Sequence, residues 1–419
     1  MQITTQVTVV VASFFVTALP LQPAAGNDYS IGMMNWVTHP IMNSSDLTAL
    51  TSFATSATTP SIAGGWVIQE VADTIQGGAN FPQVDAYVQA LDTAGMHLSL
   101  NYADDNWDGT AQGVTDNVTL ILNYLSACTA TLSTNVGVSG PTIDVNLDVE
   151  PKGSATTADW IAMLSQVHSL IEAHNTSGAT VHATLSAFMS TEVQDDISSG
   201  GLWGQVWPSI DTLIVMAYRN LPCFTTPCVG TVAAPCNDGF MKWGIELASN
   251  TPAGKYCSIA LELDHNGADL GSECWKISFG ATGIYNHPSS TDPQAYRRNF
   301  LTEAMNEGWK LLSATQQGAL HPNGGFILNS YQWLSCFRDG VQVNGGGACV
   351  PSGTCDDASR CIPKLAHNPP DLNFDGVVDG LDLAVLHDHL GTCDHDSNLD
   401  GDVTIDDLLT LIAGWGACQ

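Results

Sequence analysis

The sequence predicts an α/β fold, a (β/α)8 or TIM barrel, followed by a linker and a small all-α module. Three observations carry that prediction. Eight short apolar runs alternate with longer amphipathic ones from residue 28 to about 340. Residues 341–370 then lose all apolar period and fill with Gly, Pro, Ser and Cys. The last fifty residues repeat one Asp-rich loop twice, 25 residues apart.

Taken in order, residues 1–26 read as an export signal. Val7 to Leu21 is an apolar run too short for a membrane span, and Ala24-Ala25-Gly26 offers small residues for cleavage. The segment before it, MQITTQ, brings no Lys or Arg. The barrel is expected over residues 27–340. Its strand candidates are 29–37, 63–71, 96–102, 141–150, 180–188, 211–218, 255–264 and 324–331. Between them lie runs with helical spacing, such as DWIAMLSQVHSLIEAH at 159–174. Residues 341–370 form the linker and 371–419 the terminal module. The chain has 12 Cys, none in a CxxC zinc pattern. Cys223, Cys228 and Cys236 crowd one loop, and Cys349, Cys355 and Cys361 another. Outside the cell such cysteines pair, so they agree with secretion.

Composition narrows the partners. With 11 Lys and Arg against 42 Asp and Glu, the net charge is −31. Such a surface repels nucleic acid and anionic membrane faces and suits divalent cations and neutral or cationic substrates. No second long apolar segment follows the leader, so a secreted, extracellular or cell-surface protein without a membrane span is expected. No GxSxG, P-loop, dinucleotide or HExxH pattern occurs, and His39, His182, His265 and His321 lack paired ligand spacing.

The tail is the most specific signal. DLNFDGVVDGLD (371–382) and DSNLDGDVTIDD (396–407) align without a gap. The spacing is that of an EF-hand-type loop, in which a hard cation gathers six to eight oxygens from alternate positions and a glycine permits the sharp turn. The ligand candidates are Asp371, Asn373, Asp375, Val377 (through its carbonyl), Asp379 and Asp382 in the first loop. In the second they are Asp396, Asn398, Asp400, Asp402 (carbonyl), Thr404 and Asp407. Two calcium ions are therefore expected here. Over 371–416 these residues resemble a type I dockerin, which implies a cohesin-type protein partner. Positions 10 and 11 are Gly380-Leu381 and Ile405-Asp406, where dockerins carry a Ser-Thr-like pair.

In IDVNLDVEP (143–151), Ile143, Val145, Leu147 and Val149 alternate with Asp144, Asn146, Asp148 and Glu150. In a barrel the apolar set packs under the helices and the polar set looks inward. Burying carboxyls there without purpose is costly. Asp148 and Glu150 stand about 6–7 Å apart along the strand. Each raises the other's pKa, and a protonated Glu150 near the mouth would be a general acid.

These residues resemble glycoside hydrolase family 18, the chitinase-like barrels. NLDVE (146–150) matches the end of the family's DxxDxDxE, with Asn146 and Ile143 replacing two of its Asp. MAY (216–218) matches Met-x-Tyr on strand six, whereas the Ser-x-Gly-Gly of strand three is replaced by LSLNYADD (98–105). The resemblance implies hydrolysis of a β-linked, N-acetylated glycan with no cofactor for catalysis. Glu150 would be the acid, and Asp148 and Tyr218 would hold the substrate's acetamido group, which attacks in place of a protein nucleophile. Asn146, Trp36, Tyr102 and Glu262 are further candidates for the substrate site, with Tyr331 or Trp333 as its aromatic floor. Two other readings remain. A retaining glycosidase would use Glu150 as acid/base and Glu262 as nucleophile, and a carbohydrate-binding barrel would have no activity.

Overall fold

A computed structural model describes residues 29–58, 60–133, 141–217 and 241–262, most of 302–338, and isolated positions between 377 and 417. Eight strands close into one parallel barrel in sequence order. They are β1 (Ile31–Asn35), β2 (Trp66–Glu70), β3 (His97–Trp107), β4 (Thr142–Pro151), β5 (His182–Met189), β6 (Thr212–Met216), β7 (Tyr256–Glu262) and β8 (Phe326–Asn329). Each lies within or across its predicted run, and β8 closes on β1 through Ile31↔Phe326 and Met34↔Asn329.

Helices cover the outside. The principal ones are α1 (Ser44–Ala54), α2 (Phe81–Thr93), α3 (Ala111–Ala127), α4 (Thr157–Thr176), α5 (Thr191–Gly200) and α6 (Met241–Asn250). Local chemistry fixes their starts. Thr156 and Asp159 form a reciprocal capping box on α4, and Ser190 accepts the Val193 amide on α5. Gly201, at φ 63°, ends α5 in the left-handed conformation that glycine adopts without strain. None of the described helices is long and apolar enough to cross a membrane.

Two apolar clusters result. The larger lies between strands and helices and includes Ile143, Val145, Leu147 and Val149 with Trp160 of α4. The smaller fills the barrel and comprises Met34, Trp66, Ile68, Phe188, Ile214, Met216, Ala260 and Ile327. Trp66 plugs the lower lumen, stacking on His321 with ring centroids 4.3 Å apart. Gly32 makes room for it, since a Cβ there would lie 2.9 Å from Trp66 Cβ.

Two expectations need correction. β3 continues past Tyr102 to Trp107, with a register shift between Asp104 and Trp107. The acidic run 104–106 reads as a loop, but at the barrel rim its side chains can face solvent while the backbone still pairs with β4. The cysteines do not all pair: Cys128 and Cys257 are free thiols. Cys257 is fully buried on β7, its Sγ lies 3.4 Å from the Ala319 carbonyl, and burial pushes its thiol up to about 12. The other ten cysteines lie outside the described residues. So do the side chains of the loops at 371–382 and 396–407. There the backbone of Val377–Val378 pairs antiparallel with Gly416–Ala417.

Candidate active site

One wall of the barrel differs from the rest. Inward positions on β1, β2, β6, β7 and β8, with Phe188 near the end of β5, supply the inner apolar cluster. On β3, β4 and the start of β5 most of the inward residues are polar. Register places Ser99 beside Asp144, Asn101 beside Asn146 and Ala103 beside Asp148. On the other side of β4, Thr184 lies beside Asp144 and Ser186 beside Asn146. All of these polar residues except the half-buried Thr184 are buried. The alternation in IDVNLDVEP therefore points the way the sequence suggests: apolar set to the helices, polar set to the lumen.

The lower part of this wall is satisfied. Asp144 accepts hydrogen bonds from Ser99 Oγ (2.5 Å), Thr184 Oγ1 (2.9 Å) and Ser186 Oγ. Burial lifts its carboxyl to about 7, against the pull of those three hydroxyl donors toward the ionised form. Ser99 in turn accepts from Trp66 Nε1 at 2.7 Å, and Ser186 accepts from Asn146 Nδ2 at 2.6 Å.

The upper part is not satisfied. Asn101 Oδ1, Asn146 Oδ1 and Asp148 Oδ1 are buried with no hydrogen-bond partner among the described residues. Asn101 Nδ2 donates to Glu70 Oε2 at 2.7 Å. Buried polar atoms of this kind are normally paired, so three on adjacent strands mark a place where a polar ligand or water belongs. Asp148 carries the clearest electrostatic signature. Burial pushes it to about 8, helped by the charges of Glu150, Glu70 and Asp105. Burial thus favours the protonated form of Asp148 near neutral pH.

Glu150 stands two residues higher, at the lip. It borders an open cavity of about 600 Å³ together with Lys152, Thr157, Thr191, Glu192 and Met216. The starts of α4 and α5 meet at this cavity. Lys152 Nζ lies 2.8 Å from Glu150 Oε2, with the two side chains 53% and 30% exposed. A pair this open is worth at most about 1 kcal/mol, so a ligand can displace it.

The remaining candidates divide. Trp36 packs against the inner cluster and donates from Nε1 to Asn329 Oδ1 at 2.6 Å, so it forms aromatic surface at the mouth. Tyr102, a candidate for the substrate site, does not face the lumen. It pairs in register with Leu147, so it shares that residue's outward side and packs on the outer core. Burial and Asp104 push its phenol up to about 12. Tyr331 also leaves the site: β8 ends at Asn329, and Tyr331 packs in the outer core, edge-on to Phe53 and 2% exposed. Glu262 ends β7 in register with Asn329, but its side chain, like Tyr218 and Trp333, lies outside the described residues. Sequence reasoning passed over Ser99, Thr184 and Ser186. Their signal was parity, because small hydroxyls at inward positions beside an inward Asp are its natural partners.

No protein-family model matches the chain, and no curated protein matches it in sequence. Among solved structures it is similar to a modular endo-β-1,4-mannanase of glycoside hydrolase family 26 from Cellulomonas fimi, at 10% identity and a TM-score of 0.37, over 73% of this chain and 65% of that one. It is also similar to a family 18 chitinase from Crocus vernus, at 9% identity and a TM-score of 0.40, over 73% and 95% of the two chains. A third is the catalytic domain of a family GH18 chitinase from the fern Peteris ryukyuensis, at 12% identity and a TM-score of 0.35, over 65% and 85%. The chain thus spans about 65% of the mannanase's length.

Proposed function

We propose that this chain is a secreted glycoside hydrolase that cleaves a β-linked, N-acetylated glycan with the help of the substrate's own acetamido group. The observation that carries this reading is the division of labour on β4: a buried Asp148 with an unpartnered oxygen below an accessible Glu150 at a cavity lip. Glu150, which takes up a proton when the glycan displaces Lys152 from it, gives that proton to the glycosidic oxygen as the acetamido oxygen attacks the anomeric carbon and the glycosidic bond breaks. Lys152 pairs with the ionised form that Glu150 takes after that transfer. Asp148 Oδ1, buried and unpartnered, accepts the acetamide N–H and faces the positive charge that builds there. Trp36 offers an apolar face to a sugar ring, and Tyr218 is assigned to the acetamido oxygen by its place after Met216.

The resting Glu150–Lys152 pair favours a second reading, a glycan-binding barrel without catalysis. A panel of chitin oligomers and other glycans separates the two. Release by the wild type but not by Glu150→Gln supports hydrolysis, and retention without release supports binding alone. If Glu262 is instead a nucleophile, Glu262→Gln abolishes release; substrate assistance predicts little loss.

The terminal module is proposed to hold two calcium ions. Its donor set is Asp, Asn and one Thr with backbone carbonyls, all hard oxygens, as calcium requires. A cohesin-type partner is proposed for the same module.

A further inference from the structure

Two buried amides on neighbouring strands present their oxygens to each other. Asn101 on β3 and Asn146 on β4 are directly paired, and both stand at inward positions. A carboxylate only accepts, so the end of Asn101 that meets Glu70 Oε2 is its Nδ2, which turns the amide nitrogen toward β2. Asn146 is held from the other side. Ser186 gives its proton to Asp144 and accepts from Asn146 Nδ2 at 2.6 Å, which turns that nitrogen toward β5. Nitrogen and oxygen lie on opposite sides of a planar carboxamide. Asn101 Oδ1 is therefore turned toward β4 and Asn146 Oδ1 toward β3, across one strand spacing of about 4.8 Å. Both oxygens are buried without a hydrogen-bond partner among the described residues, and so is Oδ1 of Asp148, the next inward residue on β4. One water has two protons to give, and three acceptors wait for them. Glu70, Glu150 and Asp105 add negative charge around Asp148. Beside Asp148 on β3 stands the half-buried Ala103, whose short side chain leaves a way in from the mouth.

We propose that Asn101 Oδ1, Asn146 Oδ1 and Asp148 Oδ1 hold a divalent cation of the calcium class inside the barrel. The donors are all hard oxygens, as calcium requires, and water entering past Ala103 completes the shell. Magnesium, which demands near-ideal octahedral geometry, suits so one-sided a set less well. No group of three or more His, Cys, Asp or Glu that could hold a metal occurs among the described residues, so the site depends on its two amides as much as on its acid. With one carboxylate in direct contact, the affinity should be that of a weak extracellular site, with Kd about 10⁻⁴–10⁻³ M. Binding of the ion does not depend on the hydrolase reading. On that reading the ion and the acetamide N–H compete for Asp148 Oδ1, and the glycan displaces the ion.

The test is equilibrium dialysis of the full chain against radioactive calcium, titrated to about ten times the upper Kd at fixed ionic strength. Whatever the terminal loops hold, they hold in wild type and variants alike, so the difference between the proteins counts the barrel site alone. The wild type should bind about one ion per chain more than Asn101→Leu or Asn146→Leu. Asp148→Asn keeps the shape of the side chain and removes its charge, and it should weaken that ion about 10-fold or more. Near-ultraviolet circular dichroism in EDTA checks each fold, and if a leucine variant does not fold, Asp148→Asn decides. Equal counts and equal affinities in wild type and Asp148→Asn overturn the proposal; the three oxygens then meet water alone. If the wild type hydrolyses a glycan, calcium over the same range should raise KM and leave kcat unchanged. A bound ion with an unmoved KM would count against the role given to Asp148 in hydrolysis and leave the ion site standing.

Discussion

Replacing Asp148 by Asn should make the protein more stable at neutral pH, by an amount that follows from its surroundings. The Asp148 carboxyl ordinarily titrates at 3.8 and in the folded barrel at about 8. The folded state therefore binds a proton that the unfolded state releases throughout that window. The contribution of a raised carboxyl is present in full below about pH 4 and lost as pH rises toward 8. Each pH unit inside the window costs about 1.4 kcal/mol, so by pH 7 the wild type has given up about 4 kcal/mol. Asparagine has no proton to lose. The difference in unfolding free energy between Asp148→Asn and wild type should be smallest near pH 4 and widen by about 1.4 kcal/mol per unit up to pH 8. Urea unfolding of both proteins at unit pH steps measures it, and Asp144, present in both, largely cancels. A difference that stays flat with pH would show that Asp148 does not hold its proton in the fold, and the assignment of roles on β4 would fail.

Other consequences are shorter. Glu150→Gln should reduce glycan release by about 10²–10⁴-fold with the melting temperature nearly unchanged, because Glu150 is partly exposed and its ion pair with Lys152 is open to solvent. Leu147→Ala should cost about 2–5 kcal/mol in chemical unfolding, since Leu147 is fully buried under the helices; a cost near zero would mean that the parity of β4 is wrong. Calcium removal with EDTA should abolish one calorimetric transition, that of the terminal module, and leave the barrel transition in place.

Much of this was legible in the sequence, for physical reasons that differ from place to place. The strands of a barrel are buried on both faces or nearly so, and their short apolar runs between helical stretches announce themselves. β4 was legible in more detail, because four polar residues on one side of an apolar strand leave few places to go. Failures cluster where a strand ends. Tyr102 and Tyr331 were assigned to the mouth from their nearness to strand ends, yet register turns Tyr102 to the outer side and Tyr331 packs on Phe53 in the outer core. The proton's place on Asp148 was also hidden. Sequence spacing shows that two carboxyls are close, but not that burial raises the Asp148 carboxyl so far. Cys257 misled for a related reason: an even cysteine count suggests pairing, while a thiol sealed within β7 has no neighbour to pair with among the described residues.

The most direct test of the central claim compares initial rates on a β-linked N-acetylated oligosaccharide and on the same backbone without its acetyl groups. If the acetamido oxygen attacks while Glu150 donates the proton, only the acetylated chain is cleaved, and Glu150→Gln stops it. Equal cleavage of both chains, or cleavage that survives the loss of Glu150, would contradict the account.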